Sequence, residues 1–371
     1  MFYGHAYPFR HRPHLSPHRV GGAEASTHDL AVALGEHGVE VAVLAAMPPG
    51  RLRHVPARVL RRALGRELLR QDSDMGYPVF RAGDPVRASA AMLARFHPAA
   101  VVVSAGNYAA LADAFLRRRL PTILYLRDVE FSSMGGLPKG PRVAYVSNSH
   151  FNAARVAAVA GVDADVIPPL VRPERVRTET TRSRVLFVNP VPEKGVDVAF
   201  GLAQARPDIP FDFVECWQLG ARMRDTLLAR AQPLTNITWH QATSDPRRIY
   251  ANARILLAPS MWEESWGRVV TEAHCSGIPV LASRRGGLPE SVGPGGILVA
   301  HDAPLPQWSD ALGRMWDDPA RYADLVTAAH RYAMRAEIQP PVLVNRFVAL
   351  VEEHLARCRA GSAEVSSERR S

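Results

Sequence analysis

Two carboxylates eight positions apart, Glu264 and Glu272, bracket the turn Ser265-Trp266-Gly267 in the stretch from Pro259 to Gly287. That spacing suits a loop that opens a helix. With the helix beginning near Gly267, Glu264 stands in the loop and Glu272 projects from the second turn, while the first N–H groups, including those around Trp266, Gly267 and Arg268, can face an anion. One carboxylate can then accept hydrogen bonds from sugar hydroxyls near phosphates, and the other from a ribose. An acid near a helix start is also favoured by the helix dipole alone, so the pair takes its meaning from its neighbours.

Those neighbours are glycine-bearing turns and cationic strand ends. Gly21-Gly22-Ala23-Glu24 precede a helical pattern with Leu30, Val32, Ala33 and Leu34, and paired glycines let backbone approach a ligand closely and present N–H donors to phosphate. Gly286 and Gly287 follow the apolar run PVLAS, and Lys194 precedes Gly195 in FVNPVPEKG. Arg127 and Asp128 close the run LYL. A guanidinium and carboxylate there can bind sugar hydroxyls or phosphate, or pair with each other structurally.

The elements that must position these residues alternate in type. Continuous apolar runs at 39–46, 99–104, 122–126 and 142–146 are separated by helical patterns at 23–36, 86–96, 108–118 and 151–160. After a proline-bearing, charged connection at 168–183, strands are expected at 184–188, 211–215, 237–240, 255–258, 279–282 and 296–299, with helices at 196–204, 220–230, 246–251, 269–276 and 308–317. Short apolar runs alternating with helices signal parallel sheets covered on both faces. The fold class is therefore α/β with two Rossmann-like domains, and a ligand cleft between them is the default expectation.

The segment around Glu264 and Glu272 resembles the E-x7-E signature of retaining GT-B glycosyltransferases, glycosyltransferase family 4. The string VGGAEASTHDLAVALGEHGVEVAVL resembles that family's N-terminal donor and acceptor loop, and FVNPVPEKG its phosphate-clamping strand and loop, with Lys194 matching the family's lysine. The resemblance implies a metal-independent transferase that moves a sugar from a nucleotide-diphosphate donor to an acceptor with retention at the anomeric carbon. In it Glu272 holds the ribose, Glu264 the donor sugar, and Lys194 neutralises the diphosphate as the glycosidic bond breaks. Gly21, Gly22, Trp266, Gly267, Arg268, Gly286 and Gly287 lie on the donor side; Arg127 and Asp128 join Glu264 and Lys194 among the catalytic candidates. It also implies an acceptor-side domain over 1–170, a nucleotide-sugar domain over 171–335, helices at 336–360 that pack back on the first domain, and a disordered tail at 361–371.

Three departures accompany the resemblance. Asn189-Pro190 stands where relatives carry Gly-Arg, so a clamp cation is missing and Arg127, Arg268, Arg284 or Arg285 is expected to replace it. Arg127 occupies a position where relatives commonly have histidine. The segment before Gly21, rich in His and Pro, is poor in strand character, so the first strand is short or the chain starts later than its relatives do.

Composition bounds the remaining choices. The 371 residues, 47% hydrophobic and 22% charged, indicate a globular protein of roughly two domains. Cys216, Cys275 and Cys358 are too few and too dispersed for a disulfide framework or zinc cluster. His5, His11, His14 and His18 are irregularly spaced without accompanying Cys or carboxylate, and Asp163-Ala164-Asp165 is a short pattern that chance supplies often, so no metal or resident cofactor is expected. No long apolar run or secretory start is present, which points to the cytoplasm. The net charge of +9 fits an anionic substrate, a membrane surface or an arginine-rich composition. Its basic residues are dispersed and no recognition module is present, which argues against nucleic acid. The basic, leucine-bearing segment 51–70 can lie on anionic lipid, although packing on its own domain is the commoner use of such a helix. A nicotinamide oxidoreductase lacks its G-x-G-x-x-G fingerprint here. The alternatives kept are a GT-B epimerase or phosphorylase-like enzyme, and a catalytically silent nucleotide-sugar-binding partner of another transferase.

Overall fold

The computed structural model describes residues 2–4, 22–46, 69–72, 75–104, 107–130, 136–217, 219–241, 243 and 245–368. Gly21, the four early histidines and most of the basic segment 51–70 lie outside the described residues. The chain divides into two compact units, one built from 1–12, 23–170 and 340–371 and the other from 13–22 and 171–339.

In the first unit, eight strands among the described residues form one sheet. They are β1 (Phe2–Gly4), β2 (Val43–Ala46), β3 (Arg70–Asp72), β4 (Val79–Ala82), β5 (Val101–Val103), β6 (Thr122–Leu126), β7 (Val143–Ser147) and β8 (Asp165–Val166), in the order β3-β4-β2-β1-β5-β6-β7-β8. All neighbours are parallel except β3 and β4. Successive strand residues point to opposite faces: in β6, Ile123 and Tyr125 enter one core with Leu343, Val344 and Phe347, while Leu124 and Leu126 enter the other with Tyr108, Phe115 and Val156. Burial on both faces is why the run reads as continuously apolar rather than alternating.

The second unit repeats the plan with β9 (Arg184–Val188), β10 (Phe211–Glu215), β11 (Ile237–Gln241), β12 (Ala253–Ala258), β13 (Val280–Ser283) and β14 (Gly296–Val299). All pairs are parallel, in the order β11-β10-β9-β12-β13-β14. Val185 and Phe187 pack on one face with Phe200, Phe211 and Trp308; Leu186 and Val188 pack on the other with Tyr250, Val270 and Val280. The strand order reverses at β9, which has β10 on one side and β12 on the other. In open α/β sheets such a switch point opens a crevice outside the carboxyl ends of the strands.

Three sequence expectations are corrected or completed. The first strand is present and short, Phe2–Gly4, and it pairs with both β2 and β5; parallel neighbours on two sides give three residues a full ladder despite their weak pattern. The pair β3 and β4 was not legible in advance because Arg70-Gln71-Asp72 is a polar edge strand. The expected tail at 361–371 is instead largely helical, since the helix Pro340–Glu368 runs through it. Gly361 costs that helix about 1 kcal/mol, and Ala363, Glu364 and Val365 bring no proline to stop it. No helix among the described residues is long and apolar enough to cross a membrane.

Candidate active site

Four loops at the carboxyl edge of the second sheet carry most of the residues singled out above. After β9 the chain turns through Asn189, whose φ of 61° is left-handed, a conformation that Asn tolerates better than other residues with a side chain. A 3-10 turn, Pro192–Lys194, follows and leads through Gly195 into the helix Val196–Ala205. Gly195 is required twice over: its φ is 79°, and a Cβ there would overlap the carbonyl oxygen of Pro259. That close approach holds the lysine loop against the loop after β12, and backbone hydrogen bonds from Met261 N and Trp262 N to Glu193 O, at 2.9 and 3.3 Å, complete the join.

The result is an ion pair between Lys194 Nζ and Glu264 Oε1, with both side chains largely buried. Ser260 Oγ donates to the same carboxylate oxygen at 2.8 Å. Burial pushes the Glu264 carboxyl up, but the Lys194 ammonium and hydrogen bonds from Lys194, Trp262 and Ser260 prevail and hold it below the usual carboxylate range. Glu264 is thus ionised and already oriented. Lys194 also lies 4.6 Å from the ring centre of Trp262 and 5.1 Å from that of Trp217, within reach of cation–π attraction.

Gly286 and Gly287 support this arrangement from beneath. Gly286 has φ 60° and a Cβ there would overlap the backbone of Glu264. Gly287 N donates to Glu264 O at 2.6 Å. The two glycines therefore position the Glu264 loop, a more specific role than the general donor contact expected from their place in the sequence.

The helix Arg268–Cys275 begins after Gly267, as the spacing of the carboxylates requires. Trp266 is buried and its Nε1 donates to Thr271 Oγ1 at 3.0 Å. Glu272 is 1% exposed. It accepts from Arg268 Nε at 2.8 Å and from Tyr250 Oη at 2.5 Å. Arg268, a candidate for the missing clamp cation, is therefore committed to Glu272, where it offsets the cost of burying that charge. Arg284 is exposed and reaches Leu298 O at 3.5 Å, whereas Arg285 Nε is buried and makes no hydrogen bond among the described residues.

In the first unit Arg127 and Asp128 follow β6. Arg127 is 5% exposed; its Nη1 donates to Ala23 O at 2.5 Å and to Thr27 Oγ1 at 2.6 Å, and its guanidinium lies 4.1 Å over the Tyr125 ring. Its bonds fasten the first turn of the helix Gly22–Glu36 to the end of β6. Asp128 is exposed. Burial raises the neighbouring Glu24 carboxyl to about 7, with the Asp128 charge adding to the rise and a backbone hydrogen bond and Arg127 opposing it.

Tyr250, Ser260, Trp217, Trp262 and the side chain of Asn189 were missed as site residues. Ser260 and Trp262 sat within the stretch Pro259–Gly287 and Asn189 within FVNPVPEKG, both already marked; Tyr250 and Trp217 are brought in by sheet order, which single-sequence spacing does not reveal.

Known proteins resemble this chain in sequence and in fold. Residues 182–318 match the family model for glycosyl transferases group 1. They include Lys194, Glu264, Glu272 and the Gly286-Gly287 turn, so the match falls within the second unit and spans the residues described above. Among curated proteins, the D-inositol 3-phosphate glycosyltransferase of Arthrobacter sp. (strain FB24) is 32% identical over 204 residues, 50% of this chain and 48% of the relative. The enzyme of the same name from Corynebacterium aurimucosum is 42% identical over 89 residues, 24% of this chain and 21% of the relative. The chain thus matches about half the length of these relatives or less. Among solved structures, the sucrose-phosphate synthase of Thermosynechococcus elongatus superposes with a TM-score of 0.72 at 16% identity, over 96% of this chain and 98% of that one. Anabaena HepE, solved with UDP and glucose, gives 0.70 at 16% identity over 95% and 98%. The fold is GT-B, two Rossmann-like domains.

Proposed function

We propose that the protein is a retaining glycosyltransferase that takes a sugar from a nucleotide-diphosphate donor and passes it to an acceptor without a metal ion. The observation that carries this reading is the placement of two acids, the largely buried Glu264 and the buried Glu272, on either side of the start of the helix Arg268–Cys275, with Lys194 bonded to the first. Glu272 accepts the ribose hydroxyls, its orientation set by Arg268 and Tyr250. Lys194 leaves or shares its bond with Glu264 to meet the diphosphate, and the freed carboxylate oxygens receive donor-sugar hydroxyls and favour positive charge developing on the ring. N–H groups at the start of the helix add to the stabilisation of phosphate.

In the transfer step, the bond between the anomeric carbon and the phosphate oxygen breaks while the acceptor oxygen bonds to that carbon on the same face. The acceptor proton passes to the departing phosphate oxygen, so the scheme requires no protein base. UDP is the first nucleotide to test, because HepE was solved with it. The acceptor, a natural product, polysaccharide or lipid, would bind the first unit, and a cytoplasmic setting suits a nucleotide-sugar donor.

The test is substitution at the ribose acid. Glu272→Ala should reduce transfer from a nucleotide sugar by 100-fold or more and weaken nucleotide binding in calorimetry, while a chelator leaves the wild type active. Near-normal turnover by Glu272→Ala would overturn the assignment.

A further inference from the structure

Two tryptophans flank the Lys194–Glu264 pair and have no part in the scheme above. Their ring centres are 5.9 Å apart with the planes inclined at 59°. Trp262 is 40% exposed, while Trp217 is half-buried. An indole that is partly exposed next to a buried ion pair offers an apolar face beside polar groups, the combination that a pyranose requires: C–H bonds on one face, hydroxyls around the rim.

The pair is held in place by the residue that departs from the family pattern. Asn189 occupies the left-handed region, and its Oδ1 accepts from Cys216 N at 3.1 Å and from Trp217 N at 2.8 Å. This ties the loop after β10 to the loop after β9 and brings Trp217 to Lys194. Trp262 is fixed from the other side, by its backbone bond to Glu193 and by its side-chain hydrogen bond to Glu264. Where the family pattern has a glycine just before its clamp arginine, this chain has an asparagine whose side chain positions an aromatic ring.

We propose that Trp217 and Trp262 form the platform on which the sugar ring of the donor stacks, and that Asn189 is its positioning residue. The assignment rests on the glycosyltransferase reading, since it takes Glu264 as the acid facing the donor sugar; the indoles adjoin that acid, whereas the ribose acid Glu272 lies on the helix beyond. The platform would therefore discriminate between sugars and be indifferent to the nucleotide.

Calorimetry with UDP, UDP-glucose, GDP and GDP-mannose separates these effects. For whichever nucleotide and sugar nucleotide the wild type binds, Trp262→Ala and Trp217→Ala should weaken the sugar nucleotide at least ten-fold and change the bare nucleotide less than two-fold. Trp262→Phe should recover most of the loss, and Asn189→Gly, which keeps the backbone conformation but removes the acceptor, should show an intermediate loss. Equal weakening of both ligands, or no change in either with circular dichroism unaltered, would overturn the platform while leaving the function intact. Wild-type protein that binds none of the four would overturn both.

Discussion

The carboxyls of Glu264 and Glu24 are shifted in opposite senses. Glu264 is held ionised by Lys194, so its contribution to stability is present above the ordinary carboxylate range and is lost as pH falls through its lowered value. Glu24 has the reverse sign. Its folded value of about 7 exceeds the ordinary 4.5, so the native state binds the proton more tightly than the unfolded chain, and stability declines as pH rises from 4.5 to 7. The loss is roughly 1–3 kcal/mol. Glu24→Gln, neutral throughout, should raise the melting temperature at pH 8 by several degrees and leave it nearly unchanged at pH 4.5; equal effects at the two pH values would show that the carboxyl is not perturbed as described. The equivalent site chemistry was only partly legible in the sequence. Glu264, Glu272 and Lys194 were found because their spacing and neighbours are local, whereas Tyr250 reaches Glu272 from a separate helix, and Asn189 reaches Trp217 across two strands.

At the scale of elements, the runs that read clearly include interior strands buried on both faces: Thr122–Leu126, Arg184–Val188 and Phe211–Glu215 have the expected bounds. An edge strand need not be apolar, and polar β3 was not legible for that reason, whereas the apolar edge strand Gly296–Val299 was. Loops were legible where glycine is obligatory. Gly195 makes a strong prediction: Gly195→Ala places a Cβ on Pro259 O and strains a left-handed φ, so the β9 and β12 loops must part. The variant should lose about 2–4 kcal/mol in denaturant unfolding and bind nucleotide more weakly than its residual folded fraction explains. Unchanged stability would mean that the two loops are not in such close contact.

At the scale of the whole molecule, the helix Pro340–Glu368 follows the second unit in sequence but belongs to the first. Leu343, Val344, Phe347 and Leu350 enter the core that contains Ile123, Tyr125 and Val146, and His354 Nε2 lies 3.1 Å from Arg142 O. Burying four such side chains contributes on the order of 6–12 kcal/mol, comparable to the stability of a whole domain. Truncation after Gln339 should therefore unfold the first unit and spare the second, read as selective proteolysis of 23–170 with 171–339 protected. Proteolysis of both units alike would contradict that division.

This arrangement also sets an order of events during synthesis. Domains generally fold as they leave the ribosome, earlier segments first. Here the earlier segment cannot seal its hydrophobic interior until the helix Pro340–Glu368 has emerged, whereas everything that builds the second unit precedes that helix. The half translated second is therefore the one able to mature first, and a nascent chain ending at residue 339 and joined to a linker long enough to clear the ribosome tunnel would carry a folded second unit and an incomplete first.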